Sequence, residues 1–513
     1  MTLIKSLLLG SAATLVVVAA AQAADLPTRK GAPAAQYVKI CNIGGVAGFV
    51  IPGSDTCLKI SGTLYAMGEV GNLNQGYDWA GNFNPAGAAA VVTAAGNLAA
   101  ANAAYTTTPT AAGLGVVELD SAALAAAAAA YKATAGNSQT ALARGVDTNT
   151  RDDLGYYTRF NFALDAANNT AYGVLTAHID INFNIGSGYN SPGGVGPFEN
   201  SVNINHAYLN WAGFTAGVHN SYFSFFGGGE GWENTMSPDR QGYNQPALFA
   251  YTATFGGGFS ATVSLEDPTV ANPTMAAGAP IAWNGADFAI AGNSQYLGLR
   301  SPDIVGAIDL VQGWGGAHVA VVAHNVNMED GMGYTLNTWG WAVDGGVKFN
   351  LPSIGAGDNI QVQGAWSENA VWYSGMPDAM NGELGAVNGN GVVIPFADAY
   401  SNWAGQWATP TAWSIGATAE FHLGPTFFIA PEIAYGQLTW SNSGYGVISD
   451  NVQSWMGGAV FHWDPVAHLD FALELLYQST NQSKPLAFSS LSPVPWQSNT
   501  NGGVARLMVT RDF

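Results

Sequence analysis

Charged side chains are scarce. Lysine and arginine together number 15 in 513 residues, and all charged types make up 10% of the chain, against about a quarter in an ordinary soluble domain. With so few cations there is no basic patch to displace counterions from phosphates, and nucleic acid is excluded as a partner. Long apolar runs are also missing. Beyond residue 23, no stretch approaches the roughly 20 residues that a membrane helix requires. The nucleophile elbow G-x-S-x-G, the zinc signature H-E-x-x-H and the Walker A loop do not occur. Neither an enzyme nor a bound cofactor is therefore expected. The eight histidines are dispersed, with His318 and His324 six positions apart and His462 and His468 flanking a turn, and no metal site is expected of them. Cysteine occurs only twice, as Cys41 and Cys57, both ahead of the first clear strand. In an oxidising compartment such a pair is expected to close a small loop, two free thiols being the other reading. A zinc site would need ligands that this neighbourhood lacks.

The N-terminus is unlike the rest. Lys5 precedes a largely apolar stretch from Leu7 to Ala21, and Ala21-Gln22-Ala23 is a small-x-small site. Residues 1–23 therefore read as an export signal of the Sec type, with Ala24 as the first mature residue. The formal charge of the chain is −20, and removal of Lys5 makes the mature chain one unit more negative. Aromatic residues reach 12% and glycines number 65. Low charge, many aromatics and glycines, and no spanning helix together imply a chain that meets lipid through strands.

Period-two alternation supplies those strands. Leu469, Phe471, Leu473, Leu475 and Tyr477 alternate with Asp470, Ala472, Glu474, Leu476 and Gln478. Trp339, Trp341 and Val343 alternate with Gly340, Ala342 and Asp344, and Trp413, Ile415 and Ala417 with Ser414, Gly416 and Thr418. Each strand carries one apolar and one polar face. A soluble sandwich would cover the apolar face with a second sheet, whereas a lumen-bearing barrel turns it to lipid and its polar face to water. Strands are expected near 58–70, 154–165, 171–184, 201–211, 214–222, 246–255, 258–267 and 304–313, then near 316–326, 338–350, 358–368, 412–423, 426–440, 452–463, 468–479 and 503–513. These sixteen give the even number a bacterial single-chain barrel needs, and aromatics such as Trp211, Phe214, Tyr435, Trp440, Trp463 and Tyr477 fit interface girdles. Tight connections alternate with long ones, as expected for short turns at the periplasmic rim and long loops outside. Residues 24–57 form a periplasmic N-terminal segment and 58–513 the barrel. Residues 83–145 are an Ala-rich extracellular insertion containing a short helix at Ser121–Ala133, capped by Asp120 or Ser121.

The segments Tyr37-Val38-Lys39-Ile40-Cys41, Ile51-Pro52-Gly53 and Asp55-Thr56-Cys57-Leu58-Lys59-Ile60, together with Ala212-Gly213-Phe214-Thr215-Ala216-Gly217, Ala250-Tyr251-Thr252-Ala253-Thr254-Phe255, Gly258-Phe259-Ser260-Ala261-Thr262 and the ending Arg511-Asp512-Phe513, resemble the general porins of alphaproteobacteria, the rhizobial and Brucella type. The terminal Phe513 is similar to the aromatic that outer-membrane proteins present to their assembly machinery. The resemblance implies a sixteen-stranded barrel in the outer membrane of a Gram-negative bacterium, contacting lipid and lipopolysaccharide, assembled as a homotrimer, with its third long loop folded into the lumen. That loop matches residues 222–246 and begins with Tyr222-Phe223-Ser224-Phe225-Phe226. The Ala-rich insertion and the poverty of arginine along the strands depart from the family pattern and put ion selectivity in question.

Charge arrangement is how a pore selects. Alternation places Glu69, Asp165, Asp180, Glu266, Asp309, Asp344, Glu420, Glu432, Asp470 and Glu474 on the lumen face, against Lys59, Arg159, Lys348 and Arg506. The constriction loop adds Glu230, Glu233, Asp239 and Arg240. Some of these acids can instead anchor the loop or pair with an arginine. The expectation is a water-filled channel for small hydrophilic solutes and ions, mildly cation-selective. A substrate-specific channel and a structural or adhesive outer-membrane protein are the alternatives.

Overall fold

The computed structural model describes residues 39–71, 85–108, 110–134, 154–188, 196–225, 244–270, 281–283, 286–288, 295–329, 334–376, 397–401, 407–441, 450–484 and 498–513. The first described element is a hairpin of β1 (Ile40–Ile43) and β2 (Val46–Val50). Sixteen antiparallel strands follow: β3 (Cys57–Gly71), β4 (Leu154–Thr170), β5 (Gly173–Gly188), β6 (Gly196–Trp211), β7 (Phe214–Val218), β8 (Ala247–Gly256), β9 (Phe259–Glu266) and β10 (Asp303–Gln312). The series continues with β11 (Gly315–Glu329), β12 (Thr335–Asn350), β13 (Asn359–Glu368), β14 (Pro410–Gly424), β15 (Phe427–Trp440), β16 (Asn451–Val466), β17 (Leu469–Gln482) and β18 (Asn499–Asp512). Each pairs with the next, and β18 pairs back on β3 from Val504↔Gly71 to Asp512↔Thr63, which closes the barrel and leaves no open edge. Phe513 extends the seam through reciprocal backbone bonds with Gly62, and its ring stacks on Phe160 at 5.9 Å.

The two faces of the sheet are chemically opposite. On β17, Leu473, Leu475 and Tyr477 are 40–46% exposed, while Glu474 and Gln478 between them are fully buried. On β12, Trp339 and Trp341 are exposed and Ala342 and Asp344 are buried. An apolar band outside and polar groups inside is the inverse of a water-soluble protein and the pattern of a barrel in lipid. Trp440 departs from the girdle expected of it. It lies on the buried parity of β15 with Glu432, Ala434 and Leu438.

The hairpin is continuous with the barrel, since Phe49↔Leu58 and Val50↔Cys57 pair β2 with β3. Cys41 and Cys57 are bridged, with Cα atoms 5.8 Å apart, over a small core of Val46, Cys57 and Ala167.

The Ala-rich stretch is more ordered than its sequence suggests. Instead of one short helix at 121–133, two long helices occur, α1 (Pro85–Thr107) and α2 (Ala111–Thr134), packed against each other between β3 and β4. Alanine has the highest intrinsic helix propensity, and packing of one helix on the other supplies what an isolated alanine helix lacks. The cap of α2 is Thr110, whose Oγ1 accepts the Gly113 N–H at 3.0 Å, rather than Asp120 or Ser121. Neither helix is long and apolar enough to cross a membrane.

Candidate functional site, the narrowed interior of the barrel

Two connections turn inward among the described residues. The first follows β7. Phe223 is fully buried, its carbonyl accepts from His318 Nε2 at 3.0 Å, and the Tyr222 N–H donates to Glu266 Oε1 at 3.2 Å. Phe225 stacks on the His318 ring at 5.4 Å and lies against Gly346 of β12, where an added Cβ would fall 2.5 Å from its ring. A glycine on the inner face therefore makes the seat for an aromatic side chain.

The second inward segment follows β13, and nothing in the sequence pattern announced it. In a 3₁₀ turn at Val371–Ser374, Val371, Tyr373 and Ser374 are almost completely buried, as is Met376, while Trp372 is partly buried. The Tyr373 hydroxyl donates to Asp303 Oδ2 at 2.6 Å, and its ring meets Phe223 edge-on at 4.9 Å, so the two segments touch. Burial, then the facing Asp303 charge, push the Tyr373 hydroxyl well above its ordinary pKa, which keeps it a donor. Asp398 accepts the Val371 N–H at 2.7 Å and the Tyr296 hydroxyl at 2.6 Å. His324 bridges Asp303 and Asp398, at 2.8 and 3.2 Å, with no solvent exposure. Met376 sits over Gly436 of β15, the same device of a bare inner-face backbone. Both segments rest on an apolar patch of Val305, Ala307, Ala320, Val322, Ala342 and Ala365. Small residues on the inner wall make this room, and a single Val or Ala in a strand carries no signal that a distant loop will cover it.

Several of the anticipated charges sit together on the inner wall. Arg506 donates to Glu69 Oε2 at 2.6 Å and to Glu474 Oε2 at 2.9 Å, and all three side chains are buried. Arg159 donates from Nε to Asn184 Oδ1 at 2.8 Å and from Nη2 to the Tyr157 hydroxyl at 2.8 Å, and lies over the Tyr65 ring at 5.3 Å. Glu420 accepts from Asn359 Nδ2 at 2.6 Å, and Asp344 from Gln363 Nε2 at 2.9 Å. Glu432 is buried on β15, and Lys348 is half-buried on β12. Glu230, Glu233, Asp239 and Arg240 lie outside the described residues.

Six of the eight histidines meet a carboxylate, among them His318 with Asp309 at 2.7 Å, His462 with Asp470 at 3.0 Å, His422 with Asp358 at 3.1 Å, and His178 with Asp165 at 2.7 Å. Cross-strand register creates these pairs, as Asp165↔His178 and Asp309↔His318 show. Residues 9–13 positions apart across a turn could have been matched from the sequence once the register was known.

Comparison with known proteins agrees with this architecture. The family model described as the Porin subfamily matches residues 25–119 and 128–502. Porin Omp2b of Brucella neotomae is 25% identical over 464 residues, covering 88% of this chain and 97% of that one. Porin Omp2a of Brucella ovis is 27% identical over 438 residues, covering 84% and 98% respectively. Among solved structures, the outer membrane channel DcaP of Acinetobacter baumannii superposes with a TM-score of 0.54 at 13% identity, over 91% of this chain and 99% of that one, a likeness of fold. A closed sixteen-stranded barrel with an apolar exterior, a polar interior and a family match along almost its whole length identifies an outer-membrane channel protein of a Gram-negative bacterium, and the chain belongs to the Porin subfamily.

Proposed function

We propose that the channel carries small hydrophilic solutes and ions by passive diffusion, with a modest preference for cations, and that it works as a homotrimer after Sec-dependent export. The observation that carries this reading is the polar inner face, on which the acids Glu69, Asp165, Asp180, Glu266, Asp303, Asp309, Asp344, Glu420, Glu432, Asp470 and Glu474, with Asp398 on the second inward segment, outnumber Lys59, Arg159, Lys348 and Arg506 among the described residues. Pairing tempers the excess: Arg506 holds two of these acids, and Glu266, Asp303 and Asp398 anchor the inward segments. The net effect on permeating ions is therefore small and belongs to the narrow region, where low-dielectric walls focus the field. Glu230, Glu233, Asp239 and Arg240 are assigned to that region. The short-turn rim is read as periplasmic, and residues 85–134 as part of an extracellular insertion.

Planar bilayer recording tests the proposal. A reversal potential across a salt gradient should show cation preference that grows as salt is diluted from 1 M, where the screening length is about 3 Å, to 0.1 M, where it is about 10 Å. A zero or anion-selective potential at 0.1 M would refute the charge assignment. Absence of stepwise conductance would refute diffusion itself.

A further inference from the structure

We propose that His178, Asp180 and His206 form a binding site for a divalent transition-metal ion of the zinc class on the inner wall of the barrel. His178 and Asp180 share the inward face of β5, and His206 lies opposite Asp180 on β6. His178 Nε2 is 3.4 Å and His206 Nδ1 2.9 Å from the same oxygen, Asp180 Oδ2, and one ligand atom from each residue falls within 4.8 Å of the others. Ligand atoms around a tetrahedral zinc, each about 2.0–2.1 Å from the ion, stand roughly 3.3 Å apart. The cluster thus has the ligand types and nearly the spacing that such an ion demands.

The surroundings orient the donors as a metal site requires. The far nitrogen of each histidine is already engaged: His178 Nδ1 with Asp165 Oδ1 at 2.7 Å, and His206 Nε2 with Asn220 Oδ1 at 2.7 Å. If those nitrogens carry the protons and donate, the neutral rings turn their lone pairs toward Asp180 Oδ2. Two imidazole lone pairs and a carboxylate oxygen then converge on one point, an arrangement that repels itself unless a cation, a proton or an amide donor lies between them. A ligating histidine whose other nitrogen donates to a carboxylate or amide oxygen is the usual outer-shell arrangement at metal centres. The backbone N–H of His206 donates to Asp180 Oδ1 at 2.9 Å and helps to hold that carboxylate. Two amide groups compete with this arrangement. Gln245 Nε2, which donates to Asn205 Oδ1 at 3.0 Å, also lies 3.1 Å from His206 Nε2. Asn205 Nδ2 lies 3.0 Å from His206 Nδ1 and 3.4 Å from Asp180 Oδ2, so a bound ion must displace this amide.

Local backbone supports a built site. The β5–β6 register slips between Asp180 and Ile181, leaving Asn205 as an extra residue, and a bulge of this kind re-aims neighbouring side chains. Tyr208 and His219 wall the cluster, with ring centroids 5.2 Å from His178 and 6.4 Å from His206 respectively. Imidazole and one carboxylate favour zinc, nickel, copper or cobalt over magnesium and calcium, which prefer all-oxygen shells.

Zinc chloride titrated into the folded, detergent-purified protein tests this by calorimetry, with magnesium chloride as control. One zinc per chain is expected, with no comparable binding of magnesium. His178→Gln and His206→Gln should each abolish that site, and Asp165→Asn should weaken it about 10- to 100-fold, the usual effect of losing an outer-shell partner. Binding that none of these changes touches would overturn the proposal, as would a failure to saturate. Should the variants not assemble, zinc-soaked crystals of the unaltered protein decide. An anomalous peak between the three side chains supports the site, and a peak elsewhere or none refutes it.

Discussion

Arg506 on the last barrel strand stands directly opposite Glu69 on the first, and its guanidinium donates to that carboxylate at 2.6 Å while also reaching Glu474 on the strand before. One cation therefore clamps two acids at the seam where the sheet closes. Replacing Arg506 by Gln leaves two buried carboxylates on adjacent strands. Breaking a buried ion pair in this way costs about 3–5 kcal/mol. Urea unfolding in detergent should register a loss of that order, and Glu69→Gln introduced together with Glu474→Gln should recover part of it. Unchanged stability of the single variant would show that the clamp contributes nothing.

The disulfide should be present in the exported protein. Cys57 is fully buried and Cys41 partly so, within the small core under the hairpin. Neither thiol should react with maleimide before reduction. After reduction Cys41 should label faster than Cys57. Quantitative labelling without reductant would contradict the bridge.

Residues 85–134 pack as a helical pair outside the strand ladder. Deleting them shortens a connection, and loop-closure entropy changes by only about 0.6 kcal/mol per doubling of length. Assembly and single-channel conductance should remain near those of the full chain. Failure to reach the outer membrane would assign the helices a structural role.

The inward segments should set the channel width. Phe223→Ala removes the ring that meets Tyr373 in the apolar patch, at a cost of about 3–5 kcal/mol. Gly436→Val occupies the seat of Met376. Both should raise single-channel conductance by loosening a segment from the wall. A conductance that neither change alters would place the narrowest point elsewhere.

Neutralising Glu230 and Glu233 together to Gln should reduce the cation preference seen at 0.1 M salt. The measurement is the reversal potential. An unchanged value would move the filter to the wall charges or to the second inward segment.

Much of the barrel was legible because alternation with a period of two is a local property. Leu473, Leu475 and Tyr477 declare an outward face, and Glu474 and Gln478 an inward one, whatever their neighbours are. Sixteen repetitions of that pattern, separated by turns and loops, determined the strand count and with it the closed sheet. Strand parity also places Trp440 inside, on the face of Glu432 and Leu438, although it stands at a strand end. The two helices draw on the whole Ala-rich stretch rather than on its longest alanine run, and each is completed by packing on the other. What tertiary structure alone decided is which residues meet across strands and loops. Asp303 and Tyr373 are 70 positions apart and Glu69 and Arg506 are 437 apart, and no local pattern encodes such a meeting. Register fixes cross-strand pairs, and a bulge at Asn205 shifts that register by one residue, which is enough to bring His206 to Asp180. The sequence thus determined that the chain forms a barrel with a polar interior. The folding of Tyr373 and Phe223 into that interior followed from long-range packing against small residues, whose vacancy becomes visible only when the wall is assembled.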